Sequence, residues 1–174
     1  MSRNLSILFL LLVSLSGCRE ETVQITLPTL ELNWNASSAD ERQSSWDAMV
    51  GRWYGDRVDE DGARIQWITQ RYADGTYQVD FRSTSTRGHV ENSTELGQWG
   101  LAGPIYFGFF RGWLEGDAFT PSDPSKADNY DAYNVISLTD DLMIYDSLTT
   151  GTRYEARRVP EGFHIPDAAT ETRL

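Results

Sequence analysis

Between about residue 50 and residue 159 the chain alternates apolar and polar side chains in short runs, each closed by turn residues. A repeat of two is the mark of a half-buried strand. Tyr77, Val79 and Phe81 share one face of such a run; Gln78, Asp80 and Arg82 share the other. Ile105, Phe107 and Phe109 alternate with Tyr106, Gly108 and Phe110, so that run is apolar on both faces. Turn signals fall at Asp59-Glu60-Asp61-Gly62, Asp74-Gly75, Arg87-Gly88, Gly100 to Gly103, Asp140-Asp141 and Thr150-Gly151. Asp-Gly between alternating runs predicts a tight hairpin with both central residues at positive φ. Together these signals predict strands near 50–58, 63–72, 76–85, 89–99, 104–113, 131–138, 142–148 and 152–159.

Ahead of the strands, Ser38-Ala39-Asp40-Glu41 fits a capping box, with Ser38 as N-cap and Glu41 three residues on. It predicts a short helix from Ala39 to Met49. Trp46 and Met49, three residues apart, lie on one side of that helix and are expected to cover one end of whatever the strands build. Short antiparallel strands joined to their nearest neighbours favour a meander, and eight of them can close and remove both edges. The expected fold is therefore all-β: an eight-stranded antiparallel up-and-down barrel over residues 38–160, with a short N-terminal helix and a tail at 161–174. The connection from Leu114 to Tyr130 breaks the regular spacing. It reads as a long loop, with a lid over the open barrel end as its functional role.

The start of the chain has a different grammar. Arg3 precedes the unbroken apolar run Ile7 to Val13, and small residues lead to Cys18. This is a secretory leader over residues 1–17, too short to span a bilayer. Leu15-Ser16-Gly17-Cys18 resembles the bacterial lipobox. That resemblance implies acylation of Cys18 and removal of the leader. Cys18 is the sole cysteine, so no intramolecular disulfide is available, and a lipid gives the thiol a role. Three acyl chains exceed what stable anchoring requires. Arg19, rather than Asp, follows the cysteine. By the same resemblance this favours the outer membrane, with the domain facing the periplasm. Residues 18–37 then read as an extended tether, in which Val23, Ile25 and Leu27 alternate weakly.

Gly51-Arg52-Trp53, on the first strand, is similar to the Gly-x-Trp signature of lipocalins and related calycins. The resemblance implies that an arginine of the last strand packs on the tryptophan at the closed end. Arg157 and Arg158 both stand in the corresponding place, with Arg158 preferred. The family resemblance also implies a binder of a small hydrophobic or amphipathic molecule. Secreted lipocalins differ in having disulfides and a long C-terminal helix.

The formal net charge of −11 argues against nucleic acid as a partner, because phosphates call for a basic face. It argues equally against adhesion of the protein surface to anionic lipid. No nucleophile elbow, zinc-binding helix, phosphate loop or dinucleotide fingerprint is present. Only His89 and His164 offer imidazoles, and a solvated or capping role suits His164 better than a haem ligand. Asp56, Asp59 and Asp61 fail the calcium-loop spacing, since its first and twelfth places fall on Arg57 and Ile68. Glu91 and Glu95 lie about 13 Å apart along a strand, wider than the roughly 5–9.5 Å of a glycosidase pair. No enzyme, metal or cofactor is expected.

What remains is the aromatic interior. Aromatic residues make up 12% of the chain. Trp67, Tyr77, Phe81, Trp99, Phe107, Phe109, Tyr133 and Tyr145 come from different strands and, pointing inward, would line an apolar cup. Arg71 and Arg111 would hold an anionic head at its mouth. The alternation of a single sequence leaves two arrangements open, a hollow cup and a solidly filled core. The second would leave an interaction module that docks another envelope protein through Tyr106, Phe110 and Trp113.

Overall fold

A computed structural model describes residues 38–166. Cys18, the leader, the tether and the end of the tail lie outside the described residues. Helix α1 spans Ala39–Met49, and its capping box is formed: Glu41 N–H donates to Ser38 Oγ (3.1 Å) and Ser38 N–H to Glu41 Oε2 (2.6 Å). Strands follow at β1 (Gly51–Val58), β2 (Arg64–Arg71), β3 (Thr76–Thr84), β4 (Val90–Ala102), β5 (Ile105–Glu115), β6 (Ala118–Pro121), β7 (Tyr130–Leu138), β8 (Leu142–Ser147) and β9 (Arg153–Arg158). A 3-10 turn at Ala127–Asn129 leads into β7. Every strand pairing is antiparallel.

The ring runs β1-β2-β3-β4-β5-β7-β8-β9, and β9 pairs back onto β1 through Trp53↔Arg158 and Gly55↔Ala156. Eight strands therefore close into a barrel, and closure leaves none of the eight with an unpaired edge along its whole length. The extra strand, β6, sits outside the ring and extends β5 through Glu115↔Ala118 to Gly112↔Pro121. This corrects the reading of 114–130 as one long loop. Gly116-Asp117 makes a two-residue turn with Gly116 at φ +60, and the chain doubles back on itself.

The hairpin chemistry also differs from expectation. No non-glycine residue has positive φ among the described residues. The β1–β2, β2–β3 and β3–β4 turns share one design. The first residue's N–H bonds the fifth residue's carbonyl, the glycine N–H bonds the first residue's carbonyl, and only the glycine is left-handed. Thus Tyr72 N–H donates to Thr76 O (2.9 Å) and Gly75 N–H to Tyr72 O (3.1 Å). These are three-residue loops with a glycine bulge. One left-handed residue suffices, so Asp74 stays at negative φ and its side chain accepts from Thr76 N–H instead.

At one end α1 lies across the barrel. Trp46 stacks on Trp99 with centroids 4.1 Å apart, and Met49 and Trp53 are fully buried. Trp99 Nε1 donates to Tyr72 O and Trp53 Nε1 to Met49 O, so each indole N–H that enters the core is paired. Residues 160–166 run along the outside of the first strands. Phe163 packs on Tyr54, Arg52 donates to Phe163 O, and Arg82 donates to Ile165 O and Pro166 O. That strap covers the outer face of β2, which explains why outward-facing Gln66 and Ile68 are buried.

Candidate functional site

The helix-covered end is a floor built around Arg158. Its guanidinium lies 4.3 Å from the Trp53 ring centroid. It donates to Ala48 O (2.7 Å), Val50 O (2.8 Å) and Asp140 O (2.5 Å). The last carbonyls of a helix have no partner within it, and cations suit that end. Helix α1 carries no basic residue in its last turn, so β9 supplies one. Gly51 has φ +115, and a Cβ there would come within 2.7 Å of Arg158 Nη1. The glycine of Gly-x-Trp is thus needed for both its backbone conformation and the passage of the arginine.

Above the floor the barrel is hollow. A cavity of about 260 Å³ opens between β1, β2, β3, β4, β5, β7, β8 and β9. Trp67, Tyr77, Phe81, Tyr133 and Tyr145 line it, with Arg71. Trp67 is tucked over Gly55, where a Cβ would meet the indole at 2.0 Å. Tyr106, Tyr133, Tyr145 and Tyr154 form a contiguous cluster of stacked and edge-on rings. Burial holds the phenols of Tyr77, Tyr133 and Tyr145 above the ordinary tyrosine value, so they remain neutral donors.

Four expected lining residues lie elsewhere. Trp99 belongs to the floor, against Trp46. Phe107, Phe109 and Arg111 are absent from the cavity lining, because Tyr106 and Gly108 are the inward positions of β5. On the other face Phe107 covers Gly100 and stacks on Phe109, while Arg111 reaches over Phe109 and Tyr130 and donates to Gln98 Oε1 (3.2 Å). Tyr106 is 7% exposed and is no part of an outer docking face, whereas Trp113 is exposed and packs on Phe110. None of residues 114–130 lines the cavity, so the β5–β6 segment is not its lid. His164 is exposed, and no group of three or more metal-ligating side chains occurs among the described residues.

Arg71 is deep in the cavity, not at its mouth. It pairs with Gly51, the first residue of β1, which places it toward the helix-covered end. It is 1% exposed. Its guanidinium stands 4.6 Å from the Tyr106 ring centroid, but Nε and Nη1 have no hydrogen-bond partner. Leaving a buried charge without a partner costs several kcal/mol, and a ring face returns only about 2.

Two carboxylates share this cavity: Glu95, weighed in the sequence only as one half of a glycosidase pair, and Asp131, which the sequence did not single out. Glu95 on β4 and Asp131 on β7 both line it. Burial, with Asp131 nearby, pushes the Glu95 carboxyl up to about 7. Burial also raises Asp131. Their inward register was available from β3: Val79 faces in, and Glu95 is its cross-strand partner. Three larger hollows, about 520, 540 and 290 Å³, lie beside Trp113, beside Phe119 and beside Ile165. None of the three includes Arg71.

No family profile and no curated protein matches this sequence. Among solved structures, a lipocalin-like protein from Bacteroides uniformis ATCC 8492 is similar at 14% identity, covering 64% of this chain and 99% of that one, with a TM-score of 0.39. The closed barrel itself rests on the strand order above.

Proposed function

We propose that this barrel binds a small amphipathic molecule without transforming it, with an acidic head on Arg71 and an apolar body against Trp67, Tyr77, Phe81, Tyr133 and Tyr145. The observation that carries the reading is the pair of unpartnered guanidinium nitrogens on a 1% exposed arginine that lines a hollow interior. A carboxylate is the natural complement, because guanidinium N–H donors make strong charge-assisted hydrogen bonds to it. The cavity volume of about 260 Å³ corresponds to about nine waters at 30 Å³ each, so the ligand is small.

Calorimetric titration of hexanoate and hexanol into the full chain in detergent tests this. The acid should bind about tenfold or more tightly than the alcohol, and Arg71→Met should erase the difference. Equal affinity for the two would overturn the reading.

The proposal places the barrel in the cell envelope, held by acyl chains on Cys18, with the outer membrane favoured and the domain facing the periplasm. The Leu15-Ser16-Gly17-Cys18 motif supports it. Cys18→Ser should move the protein from the membrane to the soluble fraction on ultracentrifugation; continued sedimentation with membranes counts against the anchor.

A further inference from the structure

We infer that the ligand is a zwitterion, whose cationic group is received by Glu95 and Asp131 while its acidic group is received by Arg71. The inference rests on the proposed binding role and sharpens the class of molecule. The cavity holds charges of opposite sign that do not pair with one another. Arg71 has two nitrogens without partners. The Glu95 carboxylate has neither a hydrogen bond nor an ion pair to any described residue, although it lies on the same cavity wall. A fold that needed these charges only for its own stability would bring them into contact, as it does with Arg153 and Asp146 on the outer surface at 2.8 Å. Here they are held apart.

The register sets the spacing. Arg71 pairs with Tyr77, Tyr77 pairs with Gly97, and Glu95 lies two residues further along β4. Two strand spacings and two residues separate the backbones by about 12 Å. The side chains close part of that gap, which leaves room for a molecule between them and not for a direct bridge. Asp131 approaches from β7 on the far side of β5. The β5 residue opposite Asp131 is Gly108, whose absent side chain leaves the wall open: a Cβ there would meet nothing nearer than 3.9 Å. The inward phenols of Tyr106 and Tyr133 flank this opening and present ring faces and edges, which suit an alkylammonium group. Asp131 takes a hydrogen bond from the Tyr133 side chain, but Arg71 pairs with neither carboxylate. Charged groups on both sides, with a small aromatic chamber between them, describe a site for an amino-bearing acid whose two charges are several bonds apart.

The experiment compares 6-aminohexanoate, hexanoate and hexylamine by calorimetry at pH 8 with the full chain in detergent. The zwitterion should bind about tenfold more tightly than hexanoate. The double variant Glu95→Gln/Asp131→Asn should remove that preference while hexanoate binding is kept or improved. Gly108→Leu, which projects into the cavity, should abolish binding of both. If hexanoate binds and the amino group adds nothing, the zwitterion is excluded and the acid-binding role stands. If neither acid binds the wild-type protein, the acid-binding role falls and this inference falls with it. A preference that survives in the double variant, or binding that survives in Gly108→Leu, would place the amine elsewhere and overturn the assignment.

Discussion

The floor of the barrel and the cavity above it each hold an arginine over an aromatic ring, and they solve opposite problems. At the floor, Arg158 sits 4.3 Å from the Trp53 centroid and donates to three backbone carbonyls. In the cavity, Arg71 sits 4.6 Å from the Tyr106 centroid and leaves Nε and Nη1 unpartnered. Arg158 is only half-buried, so its charge keeps some solvent; Arg71 is almost wholly enclosed. Stability would favour the reverse arrangement, with the better-enclosed charge better paired. A satisfied arginine belongs to the architecture. An unsatisfied one, in a chamber that also holds an unpaired carboxylate, is what the proposed binding role would use.

Substitutions in the floor and in the cavity should separate sharply. Trp53→Ala empties the most enclosed ring of the floor and should cost about 3–5 kcal/mol in a denaturant titration. Arg158→Met strands carbonyls of α1 and of the β7–β8 turn, and should cost about 2–4 kcal/mol, since hydrogen bonds to charged groups are worth about 1.5–3 each and solvent replaces some of them.

The cavity should respond with the opposite sign. Glu95 binds its proton more tightly when folded, at about 7, than at the ordinary 4.5. Its burial therefore costs nothing at pH 4 and progressively destabilises the fold as pH rises through the window between those values. Asp131 on β7 adds to this repulsion, while Arg71 on β2 and the neutral phenol of Tyr77 on β3 face the same space. The full displacement would amount to about 3 kcal/mol, and screening at this half-exposed group reduces it to about 1–2. Glu95→Gln should thus raise stability by about 1–2 kcal/mol at pH 8 and leave it unchanged at pH 4; a gain that is the same at both pH values would contradict the buried charge. Arg71→Met should change stability least, by less than about 1 kcal/mol, because the lost ring contact and the relieved desolvation offset. If Arg71→Met proves as damaging as Arg158→Met, the distinction between floor and cavity collapses.

Most of the barrel was legible because its signals are local. Turn residues and a repeat of two locate the eight ring strands to within a few residues, and the Ser38–Glu41 box fixes the start of α1. What a single strand cannot declare is which of its faces is inside. On β3 the answer was plain, because one face is apolar and the other polar. On β5 both faces are apolar, and parity there depends on Gly100 making room for Phe107 on the outside, a fact carried by a different strand. That one ambiguity sent Phe107, Phe109 and Arg111 to the wrong side. Glu95, weighed only against Glu91, and Asp131 were missed as cavity residues for a related reason: a carboxylate in an alternating run reads as a solvated position, and only its partner across the ladder reveals otherwise. Strand β6 was hidden because Gly116-Asp117 stands among acidic and exposed residues that look like an ordinary loop.

The bonds from Arg158 to Ala48 and Val50 join positions 110 and 108 residues apart. The final strand therefore carries the latch for the first helix. A growing or translocating chain has to hold that helix, and the tryptophan beneath it, without a cap until nearly the whole domain is available. Closure is a late step by construction, and long-range pairing of this kind slows folding. A truncation just before Arg153 would remove both the ring's last seam and the arginine that seals its base, so partial chains should be left for chaperones or proteases to handle.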